Sequence, residues 1–355
     1  MSDYNETLKY FMQRKYIFVF PGQASQYVGM GRELYDRSPA ARSLMDRICG
    51  LENLQHLRDL AFSGPDELLT RTDNVQPAIT AVSLMAVEAF RERLADQAPH
   101  LQPFACLGHS LGEYAAHWAA GNLSTEMVMR LVYYRGFWMN EASQPPHPPG
   151  GMVAIMGLTL EILADIAEKV GRDDCAIANL NSPGQVILSG EKSSVERAAL
   201  LAKQTGAKRT VMLNVSGGWH SPLMKPAQTR MEELLKTELT PDKITLNPHI
   251  AVIANASAGP VTDLAEMRDT LTRQITSPVR WEAGVRKVIR MMGFPTLPSD
   301  LSDEEYEKWE PHPIFIELGP GKVLKGLLQN IDRKFTIRNV DAWEDLEETA
   351  AQIGN

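Results

Sequence analysis

Ser110 has the most suggestive surroundings of any reactive side chain in this sequence. It is the centre of Gly108-His109-Ser110-Leu111-Gly112. A G-x-S-x-G pentapeptide between a strand and a helix is a nucleophile elbow, a tight turn that lifts the serine hydroxyl above the sheet edge. Residues 104–108 read as the strand and residues 113–120 as the helix, ending at Gly121. The free N–H groups of that helix favour negative charge beside the serine. The competing reading is an ordinary strand–turn–helix junction with a solvated serine.

A serine hydroxyl is a weak nucleophile at neutral pH and needs a base. Eight histidines are available. His56, His100, His147, His249 and His312 lie in polar or Pro-rich stretches. His109 neighbours the serine in the chain and should point away from the hydroxyl. His117 falls on the following helix as a packing or surface residue. His220 differs: it sits in Asn214-Val215-Ser216-Gly217-Gly218-Trp219-His220-Ser221-Pro222, just after an expected strand. Open α/β sheets place their sites at strand ends. Residue types rank His220 first and leave the choice open.

The elements that must position these groups follow from the rest of the chain. Its 355 residues suffice for two or three structural units and a large core. The net charge is 36 − 44 = −8, which disfavours nucleic acid and anionic membranes as partners. No stretch approaches a membrane span, and residues 1–15 lack a signal-like apolar region. Cys49, Cys106 and Cys175 form no C-x-x-C pair, so neither a disulfide framework nor a metal site is expected. A reducing, cytoplasmic setting is expected.

Residues 16–20 read as a buried strand closed by Pro21-Gly22, and 77–94 as a helix starting at Pro77. A helix is expected over 124–143, capped by Ser124. The Pro- and Gly-rich stretch 144–151 reads as a linker. Beyond it the pattern is strand 152–157, helix 160–170, strands 175–180 and 185–189, helix 194–204 and strand 208–213. That β-α-β-β-α-β order predicts a small inserted ferredoxin-like subdomain over 152–214. Strands at 250–254, 314–318 and 335–340 alternate with helices. The expected fold class is α/β: an α/β-hydrolase-like large subdomain with a mostly parallel sheet, over 16–143 and 215–355. Residues 1–15 form an N-terminal extension.

Several motifs occur together in one order: Phe20-Pro21-Gly22-Gln23, GHSLGE at 108–113, Tyr134-Arg135-Gly136, Asn181-Ser182-Pro183-Gly184-Gln185, and Trp219-His220-Ser221-Pro222. Gln274-Ile275-Thr276-Ser277-Pro278 and Glu317-Leu318-Gly319-Pro320-Gly321-Lys322 follow. With them the chain resembles the malonyl-CoA:acyl-carrier-protein transacylases of fatty-acid and polyketide synthesis. The resemblance spans roughly 16–292 and 314–340. It implies a ping-pong transfer of malonyl from malonyl-CoA to the phosphopantetheine thiol of an acyl carrier protein. Ser110 would be the nucleophile and His220 the acid–base. The backbone N–H groups of Gln23 and Leu111 would form the oxyanion hole. A backbone carbonyl near the motif containing Gln274 would orient the histidine.

Arg135 alone reads as a helix-surface arginine; the resemblance implies that it grips the malonyl carboxylate through two parallel hydrogen bonds. Trp219 stands where the family usually has Phe, and Gly217-Gly218 would make room for it. Exclusion of α-branched acyl groups is expected. The resemblance also implies a monomer. The rival activity is an acyl-carrier hydrolase on the same fold, disfavoured because Arg135 is retained; a non-catalytic scaffold is disfavoured by the intact motifs.

Two tempting motifs fail. Gly319-Pro320-Gly321-Lys322 would need Gly at 316 and Ser or Thr at 323 to be a phosphate loop, and those positions are Ile316 and Val323. Gly29-Met30-Gly31 lacks the third glycine of a dinucleotide fingerprint. No cofactor and no metal is expected. The acidic stretch 293–313 is longer than the family's connection and reads as a surface loop with a short helix. Carrier proteins are acidic, so docking needs local positive charge; Lys208, Arg209, Lys322 and Lys325 are the candidates.

Overall fold

The computed structural model describes residues 16–308 and 312–353; the N-terminal extension expected over 1–15 lies outside them. Strand β1 (Tyr16–Phe20) is buried along its whole length. Its side chains alternate between two cores, as a pleated strand requires. Phe18 and Phe20 enter one, and Ile17 and Val19 the other. Both faces being covered explains why this strand is a continuous apolar run.

Strands β2 (Ala105–Gly108), β7 (Ala251–Ile253), β8 (Ile314–Leu318) and β9 (Thr336–Val340) join β1 in a sheet of order β7-β2-β1-β8-β9. Every pair is parallel. Phe20 stands opposite Gly108, so the loops leaving β1 and β2 emerge side by side. Four other strands form an antiparallel sheet: β3 (Gly150–Met156), β4 (Cys175–Ser182), β5 (Gln185–Glu191) and β6 (Arg209–Met212), in the order β4-β5-β3-β6. Helices Leu160–Val170 and Lys192–Gln204 cover it with a core of their own. The two sheets are stitched where β4 meets the chain at Val279: Leu180 N donates to Val279 O at 2.9 Å and Val279 N to Ala178 O at 2.8 Å.

Two expectations need correcting. The helix expected to begin at Pro77 runs from Thr72 to Arg93 with Pro77 inside it. Interior proline costs about 3 kcal/mol, but this one falls in the second turn. The long buried run that follows, including Ile79, Val82, Leu84 and Met85, outweighs it. The linker expected over 144–151 is shorter, because Gly150 and Gly151 belong to β3. They are glycines for a packing reason. A Cβ on Gly150 would lie 2.1 Å from the Gly218 nitrogen, so β3 lets the turn before His220 lie directly on its backbone. The acidic stretch after residue 293 holds a 3-10 turn at Pro298–Asp300 and a helix at Asp303–Glu307. No helix among the described residues is long and apolar enough to cross a membrane. All three cysteines are free.

Candidate active site

The β1 and β2 loops build the first half of the site. Ser110 follows β2 with φ +51°, and Gly112 opens the helix Gly112–Ala119. The flanking glycines are a steric requirement of this turn. A Cβ on Gly108 would meet Gly112 at 1.8 Å, and one on Gly112 would meet Phe20 O at 2.1 Å. Gly22 lets the β1 loop lie on the elbow, since its Cβ would be 2.5 Å from His109 O. Asn255, just past β7, clamps the elbow. Its Oδ1 accepts from Ser110 N at 2.6 Å and its Nδ2 donates to Gly108 O at 2.7 Å.

His220 arrives from the other side with φ +59°. A left-handed backbone costs a non-glycine residue about 1–3 kcal/mol and persists only where the surroundings impose it; here it falls on both Ser110 and His220. Ser110 Oγ lies 2.7 Å from His220 Nε2. His220 Nδ1 lies 2.7 Å from the backbone carbonyl of Gln274, which can only accept, so Nδ1 carries the proton and Nε2 is left to receive one. Burial, reinforced by the nearby Arg135 charge, pushes His220 down to about 3. The ring is therefore a neutral base at physiological pH.

Arg135 comes from the helix Thr125–Ala142 and is buried, 1% exposed. Its Nη2 donates to Ser110 Oγ at 3.0 Å and to Gln274 Oε1 at 3.0 Å, and its Nη1 to Gln76 Oε1 at 2.7 Å. No carboxylate lies within ion-pair distance of it among the described residues. The guanidinium also lies over the Tyr114 ring, 5.7 Å from its centroid; a buried guanidinium with no ion pair has the chemistry to receive an anion.

Ser110, His220 and Arg135 face a cavity of about 240 Å³ also lined by Gln23, Leu111, Met139, Met152, Asn181, Trp219 and Val323. The backbone N–H groups of Gln23 and Leu111 make no hydrogen bond among the described residues. Trp219 is 5% exposed, and Gly217 makes room for it: a Cβ there would lie 2.4 Å from the indole ring. His109 turns from the serine to pair with Asn181 Oδ1 at 2.9 Å. His117 is buried and pushed down to about 3 by that burial.

The four candidate docking cations separate into two places. Val323 and Leu324 line the cavity, which puts Lys322 and Lys325 beside it; Lys322 is paired with Asp345 at 2.8 Å. Arg209 pairs with Met156 at the end of β6 opposite Met152 and Leu213. At about 3.3 Å per residue it lies roughly 13 Å along the strand from the cavity, and Lys208 lies farther still.

The family described as acyl transferase domain matches residues 17–295. The malonyl CoA-acyl carrier protein transacylase of Bacillus subtilis is 40% identical over 336 residues, covering 94% of this chain and 95% of its own. The chain belongs to the malonyl-CoA:acyl-carrier-protein transacylase family. An acyl-carrier-protein S-malonyltransferase structure from Bartonella henselae aligns with a TM-score of 0.80 at 34% identity, over 96% of this chain and 99% of that one. A malonyl transacylase solved in complex with a type II polyketide-synthase acyl-carrier protein aligns at 0.79 and 31%, over 95% and 99%.

Three residues of this transacylase's site escaped the sequence reading. Gln76 holds Arg135, Asn255 holds the elbow, and Glu113 holds Gln274 through Nε2–Oε2 at 2.7 Å. Glu113 is the last residue of GHSLGE. A buried acid one helical turn past a nucleophile is a usable signal, because its carboxylate must find partners there.

Proposed function

We propose that Ser110 carries the malonyl group from malonyl-CoA to an acyl carrier protein. The chain is an acyl-carrier-protein S-malonyltransferase; what is proposed is which residues perform each step. The observation that supports the assignment is the position of Ser110 Oγ, between the neutral Nε2 of His220 and the cationic Nη2 of Arg135.

Ser110 Oγ attacks the thioester carbonyl carbon while His220 Nε2 takes the hydroxyl proton. The carbonyl oxygen becomes an oxyanion between the N–H groups of Leu111 and Gln23, worth about 2.7–4 kcal/mol per donor in such holes. Collapse breaks the C–S bond, and the departing CoA sulfur receives the proton from His220. In the second half the phosphopantetheine thiol gives its proton to His220 and attacks the malonyl ester. Ser110 leaves and regains the proton. The Gln274 carbonyl stabilises the imidazolium in place of an acid. Arg135 Nη2 reaches the serine oxygen itself, so an acyl group on that oxygen extends along the guanidinium, and a carboxylate two bonds beyond the ester carbon meets it.

Trp219, rigid against Gly217, supports exclusion of α-branched acyl groups. Carrier docking falls to Lys322 and Lys325 beside the cavity more readily than to Lys208 and Arg209, and alanine at the first pair should weaken transfer to carrier while leaving CoA release intact. The antiparallel sheet with its two helices is the inserted ferredoxin-like subdomain, expected over 152–214 and begun two residues earlier by β3, on an α/β-hydrolase-like body, 16–143 and 215–355. A cytoplasmic monomer is the accompanying reading. The test is intact mass after malonyl-CoA, then after adding phosphopantetheinylated carrier protein. A malonyl adduct that passes to the carrier, with little adduct from methylmalonyl-CoA, is expected. Decay to free malonate with an unmodified carrier would favour the hydrolase instead.

A further inference from the structure

The Gln274 side chain joins Ser110, Glu113 and Arg135 through one amide. Its Nε2 donates to Ser110 O at 3.0 Å and to Glu113 Oε2 at 2.7 Å, and its Oε1 accepts from Arg135 Nη2 at 3.0 Å. Arg135 can only donate and a carbonyl can only accept, so one orientation of the amide satisfies all three. Reversal would set the amide N–H₂ against the guanidinium and its oxygen against two acceptors. Of the two acceptors that Nε2 faces, Glu113 is the nearer. Glu113 is itself completely buried, and its Oε2 also accepts from Asn255 N at 2.9 Å. The second oxygen, Oε1, has no hydrogen-bond partner. A self-sufficient structural staple would use both oxygens; this carboxylate spends one on the amide and on the residue that clamps the elbow.

We propose that Glu113 is a positioning residue for malonyl selectivity: its Oε2 fixes the Gln274 amide, which in turn holds Arg135 Nη2 beside the Ser110 hydroxyl. The inference rests on the reading of Arg135 as the carboxylate receptor. It assigns Glu113 no contact with substrate. Its effect reaches the reaction through the guanidinium and falls on the acyl group that needs one.

The experiment compares second-order acylation rates with malonyl-CoA and acetyl-CoA, alongside thermal unfolding. The variants are Glu113→Ala, Glu113→Asp, Glu113→Gln and Arg135→Ala. A carboxylate hydrogen bond lost at a buried site corresponds to about a tenfold effect or more. Glu113→Ala and Glu113→Asp, which withdraw the acceptor, are expected to lower the malonyl-to-acetyl rate ratio by about that factor. Glu113→Gln is expected to restore most of it. Both N–H donors converge where Oε2 stood, so the new amide turns its oxygen to them. If Glu113→Ala fails to fold, the Asp and Gln variants decide alone. A wild-type ratio in Glu113→Asp, or equal losses on both substrates accompanied by a lower unfolding temperature, would overturn the proposal. Arg135→Ala separates the two levels. If it keeps the malonyl preference, the receptor reading fails; if it loses the preference while the Glu113 variants keep theirs, only the present inference fails.

Discussion

Glu113 and Glu317 sit on the two sides of β1, one just past β2 and the other on β8. Both are completely buried, and burial pushes each up to about 7. Both stand beside a glycine-containing turn that starts a helix. Their partners differ. Glu317 accepts from Leu324 N, Lys325 N and Asn339 Nδ2, each at 2.9 Å, and uses both oxygens. It caps the helix Val323–Ile331 and ties it to β9. Glu113 leaves one oxygen unpaired and spends the other on Asn255 and Gln274, residues that contact Ser110, His220 and Arg135. Similar local architecture thus leads to a helix and a neighbouring strand on one side of β1 and to the surroundings of Ser110 on the other. The difference lies in what the far ends of the hydrogen bonds touch.

The largest break in this comparison is on the chemical side. His220→Ala should slow malonyl-dependent CoA release by roughly four orders of magnitude or more, read by single-turnover kinetics. A loss below tenfold would remove His220 from proton transfer. The pH profile sharpens the same point. Because burial holds His220 near 3 rather than the ordinary 6.5, acylation by acetyl-CoA, which does not draw on the Glu113–Gln274–Arg135 chain, should stay level as the pH falls from 7 to 5. A half-loss near pH 6.5 would show a ring that protonates like an exposed histidine. Stability carries the matching sign. The unfolded ring binds its proton below about 6.5 and the folded ring only near 3. The contribution of neutral His220 is therefore full above 6.5 and is lost as the pH falls through that interval.

A smaller effect is expected on the structural side. Glu317→Ala strands two backbone N–H groups and the Asn339 amide, and should cost roughly 2–4 kcal/mol in denaturant unfolding. The malonyl-to-acetyl rate ratio should not move. A shifted ratio without a stability loss would erase the distinction between the two carboxylates.

The elbow around Ser110 was legible because a strand, a G-x-S-x-G turn and a helix are all local features. The parallel sheet was legible for the same reason: β1 and β8 are short, apolar and bounded by turns. Where local chemistry and tertiary packing disagree, the reading went astray. Pro77 looks like a helix start and is a tolerated interior residue. Gly150 and Gly151 look like linker and are strand glycines under the Gly217-Gly218 turn. Asn255 and Gln76 could not be singled out by type or spacing, because their roles exist only through partners 145 and 59 residues away.

The central claim is that the Ser110 hydroxyl receives the malonyl group. Brief incubation with malonyl-CoA, acid quench and peptide mapping by mass spectrometry test it directly. The account predicts one malonyl ester, on the peptide carrying Ser110, and no ester in Ser110→Ala. An ester on any other residue, or an undiminished adduct in Ser110→Ala, would contradict it.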